Sequence, residues 1–250
     1  MKLLVIVLCL LSERFLVHAT SHHRFNWFAL YANAMEQRFS QLPILSSPWI
    51  MLAFAILPLF LVAVFALFFL STWVFGFIGL LLNIIIFYYC IGPENPFYPK
   101  RESTAEKISE DDIGTYLARM NGQLFAILFW YIVTGPLMVL LYRLISLCKN
   151  QQTVSQQAIW VTNLLDWLPA RMTALLYLMV GNFQAGLRYF SSLFFKMPEN
   201  NQILLSACGL QALDRRGDEV TALPQAERLV EHAIIALLVL LACFTLFAWV

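Results

Sequence analysis

From Phe39 to Pro93 the chain carries no charged residue, and within it Trp49–Ile91 is almost wholly apolar over 43 residues. As one helix that stretch would run about 65 Å, twice the ~30 Å hydrocarbon core of a bilayer. It therefore folds back, and the small polar pair Ser71-Thr72 divides it into spans at about 49–70 and 73–91. Pro58 lies inside the first span and predicts a kink there, because proline brings no N–H to the carbonyl one turn back. A third apolar run covers about 124–142 and ends at Arg143. Gly135-Pro136 inside it predicts a bend or a broken helix. A fourth run, 233–250, is uncharged and places Trp249 near an interface.

Three polar connections join these runs, at about 12–47, 92–123 and 148–231. In the first, Trp27, Leu30, Tyr31, Ala34 and Met35 recur at helical spacing, which predicts a helix able to lie on a membrane surface. The second opens with Gly-Pro-Glu-Asn-Pro and carries four basic and six acidic residues. Its Ser109-Glu-Asp-Asp112 start predicts a helix capped by Ser109 or a neighbouring acid. The third connection holds seven basic and seven acidic residues around one apolar stretch, Met172–Val180. That stretch is too short to cross and suits a buried or re-entrant helix. At the N-terminus, Lys2 and then Leu3–Leu11 resemble a signal peptide, with Val17-His18-Ala19 as a candidate cleavage site. Glu13-Arg14 directly after the apolar run favours a retained, membrane-associated helix instead.

Composition supports a bilayer as the solvent. Hydrophobic residues make up 60% and charged residues 12%, against about 25% charged in a soluble domain. The formal net charge of +1 gives no basic field for nucleic acid, so none is expected as a partner. Arg14, Arg24 and Arg38 on one flank, and Lys100, Arg101, Lys107 and Arg119 on the other, put both flanks of the Ser71-Thr72 hairpin in the cytoplasm. The turn itself then faces outside. Cys9, Cys90, Cys148, Cys208 and Cys243 are odd in number and widely spaced, with no C-x-x-C pair. They read as small buried hydrophobes rather than a disulfide framework or a zinc site. The expected fold is an all-α membrane protein. It has about four transmembrane helices, an N-terminal apolar helix and a short re-entrant or interfacial helix.

Sequence signatures of catalysis are sparse. The chain has no G-x-S-x-G, H-E-x-x-H, P-loop or G-x-G-x-x-G pattern, so no cofactor is expected. His18 and His22 share a helical spacing, but a metal needs three or four ligands, so no metal site is expected. Two charged constellations stand out. Glu13-Arg14 either marks the end of the first helix or pairs with a partner or ligand near membrane depth. In Asp166-Trp167-Leu168-Pro169-Ala170-Arg171, Asp166 is placed to cap a helix and Pro169 fits its first turn. Arg171 stands in the same turn, close enough to pair with Asp166. The bland reading is a capped helix start, in which case Asp166→Ala harms protein level more than Arg171→Ala. The functional reading is an anion site made by the helix N-terminus and Arg171.

The segment from Leu164 to Gly181, LLDWLPARMTALLYLMVG, resembles the matching segment of AmpE-like regulatory inner-membrane proteins of β-lactamase induction. It is also similar to the Pro-Ala-Arg-Leu-Thr-Ala stretch of the broader CobD/CbiB membrane family of cobalamin biosynthesis. Glu13-Arg14 and Leu124–Trp130 with the following Gly-Pro fit the same pattern. The family's acidic residues before the third span are missing in Arg119-Met-Asn-Gly-Gln-Leu-Phe125. Its Asn-x-Leu-Asp motif is replaced by Ile145-Ser-Leu-Cys-Lys-Asn150. The resemblance implies one AmpE-like membrane domain over 1–250 in a bacterial inner (plasma) membrane, crossing it several times. It implies a non-catalytic signalling or modulator role linked to cell-wall stress and the β-lactam response. The alternative it leaves open is an amide-forming cobalamin-biosynthesis synthase. The candidate ligand- or partner-binding residues are Glu13, Arg14, Asp166, Trp167, Pro169 and Arg171. The expected partners are the lipid bilayer and a cell-wall-derived anionic ligand or a membrane partner protein.

Overall fold

The computed structural model describes residues 2–15, 25–39, 47–70, 77–91, 110–213 and 222–247, with the backbone alone for Lys2, Glu13–Phe15, Phe39 and Ala222. The chain is all-α, with no strand among the described residues. In chain order the helices are α1 (Lys2–Phe15), α2 (Asn26–Phe39), α3 (Pro48–Leu70), α4 (Phe77–Cys90) and α5 (Glu110–Met120). A π-helical turn, Asn121–Phe125, leads from α5 into α6 (Ala126–Val133). Then follow α7 (Pro136–Cys148), α8 (Ser155–Leu165), α9 (Trp167–Val180), α10 (Phe183–Leu193), α11 (Asn201–Ala212) and α12 (Ala222–Phe247).

Local chemistry explains several boundaries. Glu110, Asp111 and Asp112 fill the first turn of α5 and Arg119 its last, matching the helix dipole. The expected break at Gly135-Pro136 is present: α6 ends at Val133, Gly135 takes φ +101°, and Pro136 opens α7. A side chain at Gly135 would be strained by that φ. Asn182 caps α10, its Oδ1 accepting from the Ala185 N–H at 3.2 Å. Gly181 is required for a different reason, since a Cβ there would stand 2.3 Å from the Ala212 carbonyl oxygen.

Two apolar clusters organise the packing. The larger joins α1, α4, α5, the π-helical turn, α6, part of α7, α9, α11 and α12, with Ile6, Phe87, Leu117, Tyr177 and Leu204 fully enclosed. The smaller joins α2, α3, α7 and α8 around Phe28, Leu52, Ile56, Cys148 and Ala158. Leu140 and Leu165 pack against both clusters. Helix α1 is thus a core element, with Val5, Ile6, Cys9 and Leu10 buried. Four of the five cysteines are buried as small hydrophobes, whereas Cys243 is exposed on α12.

Some expectations need correction. Phe28 and Ala32 of α2, with Phe25 just before it, face inward, while Trp27 and Leu30 point outward. The apolar residues of that helix occur on both faces, so their spacing did not fix the buried one. Arg143 does not end a span: it lies inside α7, which continues to Cys148, and it is buried. The connection 148–231 is not one short helix between loops but four packed helices, α8 to α11, before α12 starts. Two helices are long and apolar enough to cross a membrane, Pro48–Leu70 and Leu223–Phe247. Most of each helix's apolar length is left uncovered by the other described residues. The Ser71-Thr72 turn, the loop 92–109 and the pair His18 and His22 lie outside the described residues.

Candidate functional site

The α8–α9 junction carries both charges of the Asp166–Arg171 turn, and the fold treats them differently. Arg171 is 3% exposed. Its Nε donates to the Phe194 carbonyl at 2.9 Å, and one terminal nitrogen donates to the Lys196 carbonyl at 2.9 Å. The other donates to the Trp167 carbonyl at 2.7 Å and to Asn201 Oδ1. Four of the five guanidinium N–H groups are therefore engaged. Phe194 and Lys196 sit just past the end of α10, where helix carbonyls have no partner of their own and carry partial negative charge. The planar fork of arginine can serve several such carbonyls at once. Its guanidinium carbon also lies 4.3 Å from the Trp167 ring centroid, a cation–π distance. Trp167 Nε1 donates to the Lys196 carbonyl, and Asn201 Nδ2 to the Asn163 carbonyl at 2.8 Å. One buried cation thus ties α8, α9, the end of α10 and the start of α11 together.

Asp166 faces the other way. The Tyr142 hydroxyl, on α7, donates to Asp166 Oδ1 at 2.8 Å, and both residues are buried. Burial pushes the Asp166 carboxyl up from 3.8 to about 6, against the opposing pull of the Lys149 ammonium and the Tyr142 bond. Burial correspondingly lowers Lys149, which the Asp166 charge partly offsets. Two expectations fail here. The Asp166 side chain caps nothing, and it forms no ion pair with Arg171. The reason lies in the backbone. A capping residue leaves the helical region, but Asp166 keeps φ −77° and ψ −9°, because α8 runs almost directly into α9. Its N–H donates to the Thr162 carbonyl of α8, and its own carbonyl accepts from Ala170 of α9, both at 2.8 Å. The side chain is turned out of the helix axis toward Tyr142.

The remaining predicted residues divide as follows. Pro169 is buried in the first turn of α9, as expected. Glu13 and Arg14 fall in the last turn of α1, far along the sequence from α9, and only their backbone is described. The residues that sequence reasoning passed over are Tyr142, Arg143, Lys149, Asn201, Thr173 and Asn121. Arg143 Nε donates to the carbonyl of Cys90, the last residue of α4, at 2.7 Å, with its guanidinium 5.3 Å from the Phe25 ring. Like Arg171, it is a buried arginine that donates to a carbonyl at a helix C-terminus. Thr173 donates to Asn121 Oδ1 at 2.9 Å, joining α9 to the π-helical turn. The available signal was the presence of single polar residues inside otherwise apolar helices, where each must find a partner.

No protein-family model matches the chain, and searches of curated proteins and of solved structures return no match either. The geometry therefore stands on its own. It supplies a buried, titratable carboxylate at one end of a helix turn and, at the other, a guanidinium with four of its five N–H groups engaged.

Proposed function

We propose that this chain is a bacterial inner-membrane protein that crosses the bilayer several times and modulates signalling linked to cell-wall stress and the β-lactam response. Its role is to bind or sense rather than to catalyse. The supporting observation is the place of the segment that carries the AmpE-like resemblance. Leu164–Gly181 forms α9 and its entry turn, the helix packed against α8, α10, α11 and α12. That position lets a change at one neighbour be felt at the others. Helices α3 and α12 are long and apolar enough for two spans; α4 and the broken pair α6–α7 would complete about four. The partner is a second membrane protein or a cell-wall-derived anion. Because four N–H groups of Arg171 are already engaged, we place the membrane protein first.

The test is deletion of the gene in its own host followed by graded β-lactam challenge, with induced β-lactamase activity and survival as readouts. The expected result is an altered induction curve, restored by the wild-type gene. An unchanged curve would reject the role. Growth of a synthase-deficient strain on cobinamide after introduction of this gene would replace it with the enzyme reading.

A further inference from the structure

We propose that a cavity between α6, α9 and α12 holds one hydrocarbon chain of a bilayer lipid. The cavity measures about 270 Å³ and is lined by residues that include Phe129, Thr173, Leu176, Leu240 and Phe244. It arises because α12 leaves the bundle along its length. In its first half Ala226, Val230 and Ala233 are buried, and small side chains there allow close approach. In its second half Val239, Leu240 and Phe244 are exposed, while Leu240 and Phe244 also line the cavity. The cavity mouth is therefore continuous with the outward apolar face of a helix long enough to cross a membrane. The inference rests on the membrane reading for that reason.

The lining specifies the occupant. It contains no charged residue, and its one polar side chain, Thr173, has its hydroxyl donated to Asn121 Oδ1. A head group, a sugar or a peptide would find no hydrogen-bonding partner there and would lose its own hydration. An empty apolar space of this size forfeits the dispersion contacts of every side chain around it. In a bilayer the material adjacent to the mouth is hydrocarbon, and an acyl chain enters without exposing any polar group. The inner wall keeps the site deep: Leu176 is buried and Phe129 only partly exposed.

The experiment uses the full chain in phosphatidylcholine vesicles that contain a phosphatidylcholine with a photoreactive diazirine in mid-chain. Labelled residues are mapped by peptide mass spectrometry. The expected result is labelling at Phe129 and Leu176 as well as on the outer faces of α3 and α12. Leu240→Trp narrows the mouth and Leu176→Trp fills the interior; the first substitutes an exposed residue, so it tests the idea even if the second misfolds. Each tryptophan takes up space that the acyl chain would fill, so labelling at Phe129 should fall severalfold in either variant. Val62→Trp, on the exposed face of α3, should leave it unchanged. Equal labelling at Phe129 in wild type and in Leu240→Trp overturns the proposal. So does cross-linking of the cavity residues to a second copy of the chain. Release of the protein from native membranes by alkaline carbonate would reject the membrane reading itself. Retention in the membrane without labelling at Phe129 or Leu176 would reject the lipid site alone.

Discussion

Asp166 and Arg171 stand five positions apart at one helix start, yet one is fixed and the other poised. Arg171 reaches two carbonyls just past the end of α10, one in α9 and an amide oxygen on α11, so its burial engages four acceptors in one step. Asp166 meets one phenol and the field of one ammonium, which is too little to offset its loss of water. A buried charge is quiet when enough fixed partners replace the water it lost. It becomes titratable when burial outweighs what surrounds it. The difference assigns stability to the arginine end of the turn and any pH response to the aspartate end.

The largest expected effect tests the arginine end. Arg171→Ala leaves the Phe194, Lys196 and Trp167 carbonyls and Asn201 Oδ1 without this donor. It should cost at least about 3 kcal/mol, from several charge-assisted bonds lost together. Folded yield and thermal midpoint in mild detergent check this. Arg171→Lys should recover only a small part, because one ammonium cannot reproduce the fork. Full recovery by lysine would mean that charge alone matters there. This ordering reverses the one expected from a capping aspartate, in which Asp166→Ala was the more harmful change.

Next in size is the pH dependence at the other end. The native Asp166 carboxyl at about 6 lies above its ordinary 3.8, so between these values the folded state binds more protons than the unfolded state. Its contribution is fully present below about pH 4 and is lost as pH rises through 6, a change of about 3 kcal/mol. Asp166→Asn keeps an acceptor for Tyr142 and should flatten the stability curve across that window. A curve as steep as that of wild type in Asp166→Asn would place the titration elsewhere.

Two smaller effects separate the hydroxyl from the carboxyl. Asp166→Ala, measured at pH 5 where the native carboxyl is mostly protonated, should cost about 1–3 kcal/mol by leaving the enclosed Tyr142 hydroxyl without its acceptor. Tyr142→Phe removes a bond that holds the carboxyl down. It should cost about 1 kcal/mol at pH 7 and move the midpoint of the pH–stability curve upward. A downward movement would show that the phenol does not donate to Asp166.

The sequence by itself determined the helical class, the apolar stretch 49–70, the break at Gly135-Pro136 and the burial of four of the five cysteines, Cys243 being the exception, because each depends on local composition or on backbone limits of single residues. It also singled out Asp166–Arg171 as an unusual polar turn. It could not decide what those side chains touch. Capping by Asp166 was a sound local inference, and it failed because α8 arrives in line and keeps that residue helical. The partners of Arg171 lie 23 to 30 positions away for three of its four bonds, and Tyr142 reaches Asp166 across 24. Three of the four helices of 148–231, α8, α10 and α11, were hidden for a related reason. Polar residues such as Gln156, Gln157, Gln184 and Gln202 interrupt their short apolar runs, and packing on α5, α7 and α9 covers their inward faces. Only the tertiary structure brings those carbonyls and hydroxyls within reach, and the reach of a hydrogen bond, under about 3.2 Å, is what decides whether a buried charge is satisfied.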